Sequence, residues 1–143
     1  MKGIKMSDCT FYVNEAERTV VCVIPNTSEM FKSFVINDFN FSGIYLDLAI
    51  TYPLKKKMEM PRSFSGKAVC SEEDEWDEEV GRMIAFSRAK DKFYRSFFKR
   101  ASMFVNTLDG CINEMVTAFN NMGEKIDAHN EKLQYMIEQR VNK

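Results

Sequence analysis

No proline follows Ser71, so nothing in the second half of the chain removes a backbone donor or forbids a long helix. The chain also has a single histidine, and its four cysteines, Cys9, Cys22, Cys70 and Cys111, form no CxxC pair. That composition gives little support to a Cys-His or Ser-His-Asp catalytic machine, and suggests neither a zinc knuckle nor a disulfide framework. Free, buried thiols are the better expectation. No apolar run approaches the roughly 18 to 20 residues needed to span a bilayer, and "MKGIKMSDC" lacks the apolar core of a signal peptide. The expectation is a cytosolic protein that does not contact membrane. The formal net charge is only −1, so no global field draws the chain to nucleic acid. There is no GxGxxG or GxxxxGK[ST] phosphate loop, and no D-x-[DN]-x-[DN]-G calcium loop. No catalytic group, resident cofactor or metal is therefore expected.

What is present divides the 143 residues into a β-rich part, residues 1–71, and a helical part, residues 72–143, within one expected domain. "CTFYVNEAERTVVCVI" reads as a β-hairpin, with β-branched and aromatic residues flanking a polar turn and Pro25 ending the second strand. Ser28 is placed to cap a short helix carrying Met30, Phe31, Phe34 and Val35. "FSGIYLDLAITYP" and "SFSGKAVC" read as two further strands around a basic loop with Lys55, Lys56, Lys57 and Arg62. From Ser71 onward the apolar spacing is helical, and cations at Arg95, Lys99 and Arg100 suit the end of a first long helix. A second apolar stripe runs through Leu108, Cys111, Met115, Phe119, Met122, Ile126, His129, Leu133 and Met136. It steps by threes and fours with one extra four, a heptad seam containing a stutter. Such a seam is too long for its own small sheet to cover, so a homo-oligomer, dimer or higher, held by the helices is expected. His129 then reads as an interface residue, and Arg140 as a helix-end cation. The fold class is α+β: a small N-terminal antiparallel sheet followed by two long C-terminal helices.

The strongest bias is "GKAVCSEEDEWDEEVGRMIAFSRAK", residues 66–90, with seven acids between residues 72 and 79 followed by a basic helix. Helix-start chemistry accounts for part of it: Ser71 and Asp74 fit a capping box, and acids suit the positive end of a helix dipole. Seven acids exceed what capping needs. Gly81, in a helix where glycine costs roughly 1 kcal/mol relative to alanine, implies close approach of another backbone or a ligand. Arg88 sits among Ile84, Ala85, Ala89 and Phe93, so its guanidinium is expected to meet a specific partner, either a structural carboxylate or a phosphate. Arg82, Lys90, Lys92 and Arg95 read first as a solvated face. Arg62 beside Phe64 could hold a phosphate while the ring stacks on a base, or lie at an ordinary strand edge.

The G-x-A-x-C, acidic turn, glycine and A-x-x-R-A pattern of this stretch, with the "TVVCVI" strand before it, resembles the phage-encoded Thoeris anti-defence proteins of the first type. The resemblance implies a non-enzymatic sponge that binds cyclic ADP-ribose isomers made by TIR-domain proteins, working in the cytoplasm of an infected bacterium. It also implies two long helices that interlock between protomers. By carry-over Cys70, Ser71 and Asp74 would face adenine or ribose. Arg88 would meet phosphate, and Phe64 or Trp76 would stack on the base; Arg62 and Lys92 complete the expected ligand-binding set. If Asp74 and Arg88 lay on one helix they would be about 21 Å apart at about 1.5 Å per residue, so a shared ligand would require two protomers. The rival reading is an acidic surface that mimics nucleic acid and inhibits a defence enzyme such as a nuclease.

Overall fold

The structure is a computed structural model, and its description covers residues 3–40, 56 and 59–142. The third expected strand, "FSGIYLDLAITYP", lies outside the described residues. The chain divides into two compact units, Met1–Phe104 and Val105–Lys143.

In the first unit a 3-10 turn, Met6–Asp8, precedes strands β1 (Thr10–Asn14) and β2 (Thr19–Pro25), then helix α1 (Thr27–Asn37) and strand β3 (Ser63–Val69). Both strand pairings are antiparallel, in the order β1-β2-β3, so β2 is central. The alternation of β2 is clean. Val20, Cys22 and Ile24 are buried on one face while their neighbours are half-buried on the other. Helix α1 differs from expectation at its start, where Asn26 in a left-handed conformation, rather than Ser28, occupies the N-cap. Asparagine tolerates that conformation better than a residue with a bulkier side chain. The Thr27 N–H then donates to the Arg62 carbonyl at 3.1 Å, tying the helix to the approach of β3.

A single helix, α2 (Glu78–Val141), replaces the two long helices expected. Cations at Arg95, Lys99 and Arg100 do not end a helix by themselves. No proline or left-handed glycine interrupts them, and Gly110 and Gly123 both lie within the helix. The helix also begins later than Ser71. Residues 71–74 form a turn, and the Asp77 carboxylate accepts the Val80 N–H at 3.1 Å as the first turn forms.

The face of α2 that meets the sheet is graded in size. Gly81, Ala85 and Ala89 lie where the helix crosses β2 and β3, and Phe93, Phe97 and Phe104 follow, all buried except Gly81. A Cβ on Gly81 would stand 2.8 Å from Val20 Cγ2, and one on Gly66 would stand 2.2 Å from the Ala85 carbonyl oxygen. Small residues therefore let helix and sheet backbones approach, and the phenylalanines fill the space beyond. Phe97 packs edge-on to Phe31 at 5.2 Å and to Phe34 at 4.8 Å, while Phe93 meets Phe64 at 5.8 Å. Much of the G-x-A and A-x-x-R-A pattern is thus packing.

Burial, with a smaller contribution from neighbouring Cys9, pushes the Cys22 thiol up to about 12. An unfolded chain releases that proton near pH 8.5. Above this the unfolded state has lost a proton the folded state keeps, so alkali favours unfolding. Urea midpoints should fall between pH 9 and 11, with a slope of at most about 1.4 kcal/mol per pH unit for this thiol. Cys22→Ala should flatten the dependence; an unchanged slope would show that the thiol does not cause it.

In the second unit, Val105–Lys143, the described residues continue the helix. Met115, Phe119, Met122, Ile126 and Met136 of the expected seam are each more than half exposed, and Phe119 reaches 78%. Among the described residues no helix is long and apolar enough to cross a membrane.

Candidate functional site

The segment between β3 and α2 is held from the hairpin turn. Arg18 closes that turn at a φ of 55°, its N–H donating to the Glu15 carbonyl at 3.1 Å, and its own backbone carbonyl accepts the Cys70 N–H at 2.9 Å. Its Nη2 donates to Cys70 Sγ at 3.1 Å, to the Ser71 carbonyl at 3.0 Å and to the Asp74 carbonyl. The guanidinium thus clasps a thiol and two backbone oxygens of the acidic loop. Two costs attend it. A left-handed conformation costs a non-glycine residue about 1 to 2 kcal/mol. Nε of Arg18 is buried without a partner, which typically costs about 1 to 3 kcal/mol. The charge-assisted bonds to the loop offset these terms. Within the loop the Ser71 hydroxyl donates to Asp74 Oδ2 at 2.8 Å, so this pair braces a turn rather than capping the helix.

The clasped loop forms one wall of a pocket of about 220 Å³ lined by Cys70, Asp74, Glu75, Trp76, Asp77, Val80, Gly81 and Ile84 over Val20 and Ala68. Three carboxylates, one indole and an apolar floor suit the hydroxyls and amino group of a nucleoside better than a phosphate. Its volume is below the usual 300 Å³ or more of a complete small-molecule site, so it fits only part of a nucleotide.

A second cavity, a shallow groove of about 720 Å³, adjoins it. Lys67, Met83, Ile84, Ser87, Arg88, Asp91 and Lys92 line the groove, and Ile84 belongs to both linings. Arg88 Nη1 donates to the Lys67 carbonyl at 2.7 Å and Lys92 Nζ to the Ser65 carbonyl at 3.0 Å. The spacing explains the match: four helical residues rise about 6 Å, and two strand residues about 6.6 Å. Among the described residues β3 is an edge strand, and the two cations occupy its outward carbonyls. The protein partner of Arg88 is thus a backbone carbonyl rather than the structural carboxylate that its surroundings in the sequence suggest. Other cations of the basic run are engaged elsewhere. Arg82 lies over the Phe11 ring at 5.0 Å, Lys90 over Phe86 at 5.0 Å, and Arg95 pairs with Asp91 at 2.9 Å. With Asp91 so paired, Lys67, Arg88 and Lys92 leave the groove positive.

The structure therefore brings Cys70, Asp74 and Trp76 together in one cavity, and Arg88 and Lys92 in the next. Ser71 braces the loop. Phe64 faces the core against Phe93, so Trp76 is the ring available to a ligand. Arg62 is exposed near the start of α1 and lines neither cavity. The premise that Asp74 and Arg88 share a helix is corrected, because Asp74 precedes α2 and the two cavities adjoin within one chain. Arg18 and Lys67 were not singled out in the sequence. Lys67 was legible from strand parity, since it alternates with buried Gly66 and Ala68. A further cavity of about 600 Å³ between the 3-10 turn and α1, lined by Asp8, Glu29, Phe34 and Asp38 among others, contains none of the expected site residues.

No family model matches the chain, and no curated protein or solved structure matches it.

Proposed function

We propose that the protein sequesters a cyclic ADP-ribose-type signalling nucleotide made by TIR-domain defence proteins, without cleaving it, and so blunts Thoeris immunity from the cytoplasm of a phage-infected cell. The observation that carries the reading is the junction at Ile84 between an acidic, tryptophan-bearing pocket and a cationic groove. Opposite polarities side by side match the opposite ends of a nucleotide. Trp76 offers a face to the base, and Asp74 accepts from ribose or amino donors. Arg88 and Lys92 turn donors toward the diphosphate. Retention needs little more than a largely pre-formed site that excludes water. Equilibrium dialysis against cyclic ADP-ribose, with heat release and mass analysis of the bound fraction, tests it. Recovery of the intact nucleotide supports sequestration, an altered nucleotide supports hydrolysis, and no retention removes this ligand.

The exposed acids Glu72, Glu73, Glu78 and Glu79 favour a second reading, an acidic surface that blocks a defence enzyme such as a nuclease. Co-purification of a protein partner in place of a nucleotide would select it.

The exposed seam is assigned to a second copy of the chain or more. Met122→Asp combined with Ile126→Asp should convert the oligomer to monomer in sedimentation velocity while leaving the first unit folded. An unchanged sedimentation coefficient would remove the seam from assembly.

A further inference from the structure

We infer that Arg18 is the positioning residue of the ligand pocket, setting the loop conformation that presents Asp74 and Trp76. The inference rests on the nucleotide-binding reading for its ligand and on geometry for the rest. Three acceptors of one loop, Cys70 Sγ and the carbonyls of Ser71 and Asp74, converge on one nitrogen of Arg18. The clasp reaches 52 to 56 residues along the chain. It is possible because Thr19 pairs with Val69, which sets the hairpin turn beside the end of β3. Asp74, Glu75, Trp76 and Asp77 all line the pocket, so the loop that Arg18 holds is also the pocket wall. The carbonyl contacts fix the backbone and leave the Asp74 and Glu75 carboxylates free of Arg18. A lysine ammonium would supply the charge, but on a flexible stem and without the pre-organised planar head that sets the Arg18 nitrogen among these acceptors.

The test uses the chain's only tryptophan. Glycine is the substitution of choice because position 18 has a φ of 55°, so Arg18→Gly removes the guanidinium and relieves the backbone together. The expected result is a near-native far-UV spectrum with red-shifted Trp76 emission and acrylamide quenching raised about twofold or more. Affinity for cyclic ADP-ribose should fall about tenfold or more, with Arg18→Lys restoring it only in part. If Arg18→Gly fails to fold, Arg18→Lys carries the same two readouts. Native Trp76 emission and quenching in the variant would overturn the inference, as would a changed Trp76 signal with unchanged affinity. Should the unaltered protein fail to bind the nucleotide, the functional reading falls, and the Trp76 signal alone still decides whether Arg18 positions the loop.

Discussion

Gly66→Ala is expected to destabilise the protein by about 3 kcal/mol or more, at or beyond the upper end of typical overpacking costs. The added methyl would stand 2.2 Å from the Ala85 carbonyl oxygen, 2.4 Å from the Ala89 nitrogen and 3.0 Å from the Arg88 carbonyl carbon. All three are backbone atoms of α2, so no side-chain rotation relieves the clash. The helix must lift from the sheet, loosening a core in which Ala85, Ala89, Phe93, Val20 and Cys22 are all buried. Against a total stability of about 5 to 15 kcal/mol, the loss should lower the urea midpoint sharply and the Tm by roughly 10 °C. Gly110→Ala is the matched control, because a Cβ there meets nothing within 4 Å. That change should be neutral or stabilising by up to about 1 kcal/mol, since alanine favours a helix interior. Equal effects of the two substitutions would contradict the close approach of β3 and α2.

Arg88→Ala should have the opposite profile. The side chain is exposed, and its described bond is to one backbone carbonyl, so its removal should cost about 1 kcal/mol of stability. Binding is expected to fall at least 100-fold, about 2.7 kcal/mol, because a bidentate guanidinium on a diphosphate has no substitute among the remaining lysines. Lys92→Ala should cost less, about tenfold, since its ammonium acts as a point charge. Both variants should bind with a weaker dependence on salt than the unaltered protein. Calorimetric titration beside a thermal melt separates the effects. Native affinity in a folded Arg88→Ala protein would remove the groove from the site, and unfolding would make Arg88 a structural residue.

The hairpin, β3 and the helical periodicity were legible because each repeats a local rule along its own segment. What the sequence hid depends on pairing between distant segments. The clasp from Arg18 to residues 70–74 exists only because β2 and β3 are neighbours, which no pattern at Arg18 announces. Phe64 was a different case. Its parity with Gly66 and Ala68 turns it toward the helix, so alternation along β3 already opposed its use as a stacking ring. The helix start was displaced because Ser71 and Asp74 satisfy each other within a turn, and Asp77 performs the capping six residues later. Gly81 was expected to admit another backbone or a ligand, and the atoms that a Cβ there would meet belong to the Val20 side chain. Two helices were expected where one runs from Glu78 to Val141, because basic residues were read as a helix end without the proline or left-handed glycine that would stop it.

Native mass spectrometry of the purified protein, after incubation with extract from cells expressing an active TIR signalling enzyme, tests sequestration most directly. The prediction is an oligomer carrying intact cyclic ADP-ribose-type nucleotide, released unchanged by heat and absent from Arg88→Ala prepared in parallel. Bare chains with the signal still free in solution would contradict it.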